Sequence, residues 1–384
     1  MINKLVRFIQ SYDSIKDKDD MAKLVSAEFG CVRDRSIYYT RDFAIRFSKA
    51  NSPSFSNTVL SLSTLQKYDN RPFIVCVCTP TANHLLIANS SFLKKISHSS
   101  QDLRVDNIRG SFNGSDIIRE IDGIANSPEN FDVLFAMHQN ITFEENLVRL
   151  VEATNNIVPT GKRFDVSAND GCLKNITNAP NRAIAFSKSK DYVDLNKDLD
   201  GRTRKFENEI LIAACIENVN LRGRIIEYII AGDDMLMREQ LISALVNNGE
   251  FPRLITRDGL GDYEKNYAEY RTETDIKTKI MVLSSAPKGY NLDKMLEFLA
   301  EPNTVFMIYL VGIDYESKTI KTKLISMFQE TLIDNTVVQL HWAGRNSRGV
   351  SQFNGDAVKQ IILHEENTIN PSKAAAFLNK IINL

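Results

Sequence analysis

Residues 303–314 read NTVFMIYLVGID, and this run constrains the fold more than any other stretch of the chain. A strand with one solvated face alternates apolar and polar residues. Here every residue from Val305 to Val311 is apolar. The run is far shorter than the roughly 18 residues of a membrane span. It predicts a strand buried on both faces, as in a sheet with helices on each side. Helical patterns flank it: NLDKMLEFLA precedes it, and NPSKAAAFLNKIIN closes the sequence with Asn370 as cap and Pro371 at the first helical position. AVKQIILH reads as a further strand. The expected class is α/β, a mixed central sheet flanked by helices.

The rest of the chain supports that class. Its 384 residues are 43% hydrophobic and 25% charged, with a formal net charge of −1, enough apolar material for a large core. The charge balance excludes a uniformly basic nucleic-acid coat but leaves room for a local basic cleft. In residues 1–160, DDMAKLVSAEFG and TFEENLVRLVEATNN read as helices, the second opened by a Thr142–Glu145 capping box. DFAIRFSKA, RPFIVCVC, HLLIAN and FDVLFAM read as strands. Residues 161–204 are turn-rich and basic and read as a linker, and residues 205–384 as a second domain that opens with helices. Cys31, Cys76, Cys78, Cys172 and Cys215 form no CxxC pair and no zinc spacing, which suits a reducing cytoplasm. Met1–Asp20 lacks an apolar signal-peptide core, so a cytoplasmic protein without membrane spans is expected.

One segment raises a chemical question. RTETDIKTKIM, residues 271–281, places Glu273, Asp275, Lys277 and Lys279 at every second position of a predicted strand, hence on one face. A solvated edge strand would carry such a face. So would an active site that needs an acid beside an amine.

Upstream, Asp262 follows Gly261 in a turn, and LRGRIIEYI puts Glu227 on a helix. The order is a helix with an acid, a turn with an acid, a strand with Asp275-Ile276-Lys277, a helix and a buried strand. Over residues 205–315 this resembles the PD-(D/E)XK nuclease superfamily, particularly its type II restriction endonuclease branch. The chain departs from that pattern in having Gly261 where the superfamily has proline, and Asp258 rivals Asp262 as the first acid. The resemblance implies a PD-(D/E)XK nuclease core with an N-terminal α+β domain for target reading or dimer contacts. It implies a Mg²⁺-dependent, site-specific endonuclease of double-stranded DNA. Asp262, Asp275 and the Ile276 carbonyl would be the Mg²⁺ ligands, a hard-oxygen set that suits this ion. Lys277 would touch the attacking water and a phosphate oxygen. Glu227 would complete the catalytic group by holding a metal-bound water or a second ion. Palindromic target sites would make the protein a homodimer.

Candidate DNA contacts follow from residue type. Lys279 and Glu273 read as salt-bridge partners or phosphate contacts and not as catalysts. In QLHWAGRNSRGVSQFNG, residues 339–355, His341, Arg345, Asn346 and Arg348 suit phosphates and base edges, or decorate a polar surface loop around the one tryptophan. IRGSFNGSD, residues 108–116, is a second, weaker loop of this kind. Two other functions fit the same residues: a non-catalytic DNA-binding protein on a nuclease-like fold, and a metal-dependent nuclease acting on RNA or damaged DNA.

Overall fold

The computed structural model describes the chain except residues 100–109, 158–162, 248, 255–258 and 342–347, and except the side chains at 98, 99, 170, 340 and 341. The protein is mixed α/β with mixed sheets. It divides into two compact units: Met1–Gly161 with the insert at 340–346, and Lys162–Gln339 with Ser347–Leu384.

The N-terminal unit is organised around strand Phe73–Cys78, in which every residue is buried. Its sheet runs in the order Val32–Asp34, Ile37–Tyr39, Ala44–Lys49, Phe73–Cys78, Asn83–Ile87. Only the pairing of Ala44–Lys49 with Phe73–Cys78 is parallel. Alternation splits the central strand between two cores. Phe73, Val75 and Val77 join Leu62, Leu65 and Leu150 in one. Ile74, Cys76 and Cys78 join Leu5, Ile9, Met21 and Val25 of the two N-terminal helices in the other. The Thr142–Glu145 capping box forms at the start of helix Phe143–Asn155.

Two local expectations change here. FDVLFAM is not a strand but most of helix Phe131–His138, which buries Phe131, Leu134 and His138. Spacings of three and four make a helical stripe, and the nearly unbroken apolar run conceals them. The described part of the 108–116 loop is no exposed loop: Gly110–Asn113 is a strand, and Phe112 and Asp116 are fully enclosed.

In the C-terminal unit, the segment expected as a linker forms helices Asp170–Thr177, Ala179–Ser187 and Lys190–Lys205. Lys190–Lys205 buries only Leu195, Leu199 and Thr203, a stripe too thin to stand out among its charges. Hydrogen bonds to the sheet hold it instead. The Tyr309 hydroxyl donates to Asp200 Oδ1 at 2.8 Å, and the Tyr192 hydroxyl donates to the Leu324 carbonyl at 2.8 Å. AVKQIILH also changes type. It is the body of helix Gly355–His364, capped by Asn354, with Ala357, Val358, Ile361 and Ile362 buried at helical spacing.

The elements that build the site are helix α1 (Val219–Ala231), strands β1 (Tyr263–Asn266) and β2 (Arg271–Ile280), helix α2 (Leu292–Leu299), and strands β3 (Thr304–Asp314) and β4 (Thr319–Ser326). The sheet order is β1–β2–β3–β4. β1 and β2 are antiparallel, β2 and β3 are parallel with α2 between them in sequence, and β3 and β4 are antiparallel. Every residue of β3 except Asp314 is buried. Among the described residues no helix is long and apolar enough to cross a membrane.

Candidate active site

β1 pairs with β2 only over Arg271–Thr274, and beyond it β2 has β3 on one side alone, yet burial keeps the charges of this strand from decorating a solvated edge. The side chains of Glu273, Asp275 and Lys277 retain only 9%, 7% and 16% of their exposure. Burying charges is costly unless they are paired and hydrogen-bonded, and this strand meets that demand unevenly.

Lys277 Nζ lies 2.7 Å from Asp275 Oδ1 and donates to it. The other oxygen, Asp275 Oδ2, is buried and receives no N–H or hydroxyl donor, and the Asp262 carboxyl lies close enough to Asp275 for the two to share a proton. Burial pushes the Asp275 carboxyl well above the usual carboxylate range, and the Asp262 carboxyl beside it pushes the same way, against the pull of Lys277. Burial disfavours the charged form of Lys277, but Asp275, Asp262 and Glu227 together outweigh it and hold the ammonium above the usual lysine range. Glu227, projecting from α1, is pushed up to about 7, first by burial and then by Asp262, while Lys277 and Arg224 oppose the shift. Residues from a helix, a turn and a strand therefore share one electrostatic site. Fully ionised, its three carboxyl groups would outnumber the Lys277 ammonium and the more distant Arg224 guanidinium, which favours protonation of a carboxyl or a bound cation.

The Asp262 turn is tied down from several sides. Its N–H donates to the Thr274 carbonyl at 2.9 Å, and its Oδ2 accepts the Ile276 N–H at 2.8 Å. A strand residue presents its N–H and C=O to the same edge. The Ile276 carbonyl thus faces the edge occupied by the Asp262 side chain, beyond the point where β1 pairing begins at Tyr263–Thr274. Just before it, Leu260 and Gly261 both donate their N–H groups to Glu273 Oε2 at 2.8 Å.

Among the described residues no three His, Cys, Asp or Glu side chains converge as a preformed metal-binding group. Asp275 Oδ1 is spent on Lys277 and Asp262 Oδ2 on the Ile276 amide. The donor set nevertheless fits Mg²⁺. It consists of hard oxygens, carries excess negative charge and includes a buried carboxylate oxygen without an N–H or hydroxyl donor, and Mg²⁺ needs only one or two protein carboxylates because it keeps several waters.

The expected DNA contacts fare differently. Lys279 is fully enclosed, and its Nζ donates to the carbonyls of Leu283 and Ser285, so it holds the loop after β2 and reaches no phosphate. Arg348 is 8% exposed. Its Nη1 pairs with Asp293 Oδ1 at 2.6 Å and donates to the Phe164 carbonyl at 2.9 Å. This arginine ties α2 to the segment before the first helix of its unit, which removes it from the DNA-contact set. Residue type alone did not separate a buried anchor from a surface fork. Arg345, Asn346, the side chain of His341 and the rival acid Asp258 lie outside the described residues. Sequence reasoning did not assign Glu273 and Gly261 to the site. The signal was present in the shared strand parity of Glu273 and Asp275 and in the glycine before Asp262.

No family model matches this chain, and no curated protein matches it.

Proposed function

We propose that the protein is a Mg²⁺-dependent phosphodiester hydrolase with a PD-(D/E)XK-type core, acting as a site-specific endonuclease of double-stranded DNA in the manner of type II restriction enzymes. One observation carries this reading. Lys277 pairs with Asp275 at 2.7 Å and feels the charges of Asp262 and Glu227 as well, while the second Asp275 oxygen is buried without a hydrogen-bond donor. Asp262, Asp275 and the Ile276 carbonyl would hold Mg²⁺, which when bound supplies charge neutralisation at the phosphate. Lys277 would orient the attacking water and a phosphate oxygen with its ammonium. Glu227, titrating near neutrality, would accept or release a proton at its carboxyl. A two-fold homodimer is the arrangement suited to a palindromic site.

The closed Asp275–Lys277 pair favours a second reading, a DNA-binding protein that does not cut. Incubation with a mapped plasmid, with Mg²⁺ and with a chelator, separates the possibilities. Discrete Mg²⁺-dependent fragments support the proposed enzyme, and a smear indicates a nuclease without site preference. Intact plasmid that shifts in a gel indicates a binder, and cleavage confined to RNA or damaged duplexes moves the substrate.

A further inference from the structure

We propose that Glu273 is a positioning residue of this site: its carboxylate clamps the Leu260–Gly261 turn and thereby sets Asp262 against Asp275. The proposal rests on the nuclease reading above for the role of Asp262, and on geometry for the clamp itself.

Three successive backbone amides are committed to β2. Those of Leu260 and Gly261 donate to Glu273 Oε2 at 2.8 Å, and that of Asp262 donates to the Thr274 carbonyl at 2.9 Å. Only after these anchors does the Asp262 side chain fold back onto the Ile276 amide. Glu273 and Asp275 are two residues apart on one strand face, so the clamp and the second carboxylate move as one body. Hydrogen bonds to an ionised acceptor are roughly twice as strong as neutral ones, which favours a glutamate here. Arg271 stands 3.7 Å from Glu273 Oε1 and supports the charge. With Oε2 engaged by two amides, Glu273 acts through Asp262 and not on the reacting atoms.

Gly261 completes the device. A Cβ at this position would stand 2.8 Å from the Thr274 carbonyl oxygen and 2.9 Å from its carbonyl carbon and nitrogen, all backbone atoms. Close approach to β2 therefore requires glycine. A proline would meet the same atoms and would lack the N–H that Glu273 receives. The departure from the superfamily pattern at residue 261 and the buried acid at residue 273 are one arrangement: a bare glycine held by a carboxylate in place of a stiffening ring.

The test uses the full chain and three readouts: amide hydrogen exchange at Leu260 and Gly261 without metal, Mg²⁺ binding by calorimetry without DNA, and cleavage rate against Mg²⁺ concentration. Glu273→Ala is expected to speed exchange of both amides at least about tenfold and to raise the Mg²⁺ needed for half-saturation at least about tenfold. The rate at saturating Mg²⁺ should stay within about threefold. Glu273→Gln, which keeps an acceptor oxygen, should fall between wild type and Glu273→Ala, and Gly261→Ala should reproduce the Glu273→Ala behaviour. If Glu273→Ala does not fold, the Glu273→Gln exchange and binding data decide. Unchanged exchange and Mg²⁺ requirement overturn the proposal, as does a rate loss that Mg²⁺ cannot restore, which would make Glu273 a direct participant. A wild-type protein that neither binds Mg²⁺ nor cuts DNA overturns the nuclease reading. Faster exchange in the variants of such a protein would leave a structural clamp and overturn the positioning role alone.

Discussion

Each unit of this protein buries a cluster of polar side chains, and the two clusters are finished to different degrees. In the N-terminal unit, Asp69, Ser91, His138 and Asn146 are all buried. His138 Nε2 donates to the Asp69 carbonyl at 2.7 Å, and its Nδ1 shares a hydrogen bond with the Ser91 hydroxyl at 2.8 Å. Asn146 donates to Ser91 in turn at 2.9 Å. The Asp69 carboxylate is consumed by the Ser90 amide, the Ser90 hydroxyl and Asn89. The residue types are those of a hydrolytic triad, yet the Asp69 carboxylate is hydrogen-bonded to Asn89 and Ser90 and stands 3.6 Å from His138 Nε2, and every group named has a partner. In the C-terminal unit, Asp275 keeps an oxygen without an N–H or hydroxyl donor, and burial with neighbouring charge pushes Asp275 and Glu227 upward. A satisfied cluster stabilises a fold. An unsatisfied one stores electrostatic demand that a ligand can meet.

The sharpest way to break this contrast is a pair of substitutions. Asp275→Asn should lower the cleavage rate at least about 10³-fold and leave the melting temperature close to wild type, because it keeps an acceptor oxygen for Lys277 while removing a carboxyl group whose ionised form burial disfavours. Asp69→Ala should leave the rate per folded molecule unchanged and cost about 3 kcal/mol of stability, since it strands buried donors. Plasmid cleavage and denaturant midpoints measure both, and exchanged phenotypes would dissolve the distinction.

A pH series probes the same difference by titration. The Glu227 carboxyl is raised from its ordinary 4.5 to about 7, so folding favours its protonated form. Its contribution is fully present below pH 4.5 and is lost as pH rises through 7, an effect of about 3 kcal/mol in the metal-free protein. Glu227→Gln should lessen the fall in stability between pH 5 and 8, leaving the part due to Asp275, and saturating Mg²⁺, which favours the ionised carboxyls, should lessen it further. A wild-type profile that is flat without metal would contradict the site's electrostatics. The smallest effect is expected from Ser91→Ala. It should cost about 1–2 kcal/mol by stranding His138 Nδ1 and the Asn146 amide, with no change in cleavage. Any loss of cleavage there would give the N-terminal cluster a chemical role.

Much of the architecture is written in local pattern. The apolar run of β3, the Thr142–Glu145 capping box and the parity of Glu273, Asp275 and Lys277 depend only on near neighbours in the chain, and they form as expected. Errors arose where a short pattern supports two periods, as in FDVLFAM and AVKQIILH, or where a helix is held by hydrogen bonds to a distant sheet, as in Lys190–Lys205.

Strand parity put Asp275 and Lys277 on one face from the sequence alone, and the resemblance of the motif order to a nuclease superfamily added Asp262, with Asp258 as its rival, and Glu227. Tertiary structure decided what each charge is paired with. Lys279 and Arg348 look as available in the sequence as Lys277, yet one is enclosed by loop carbonyls and the other by Asp293. It also decided where protons are held. Burial and Coulomb interactions act across space, and only the fold brings α1, the Asp262 turn and β2 close enough for one carboxyl group to raise another.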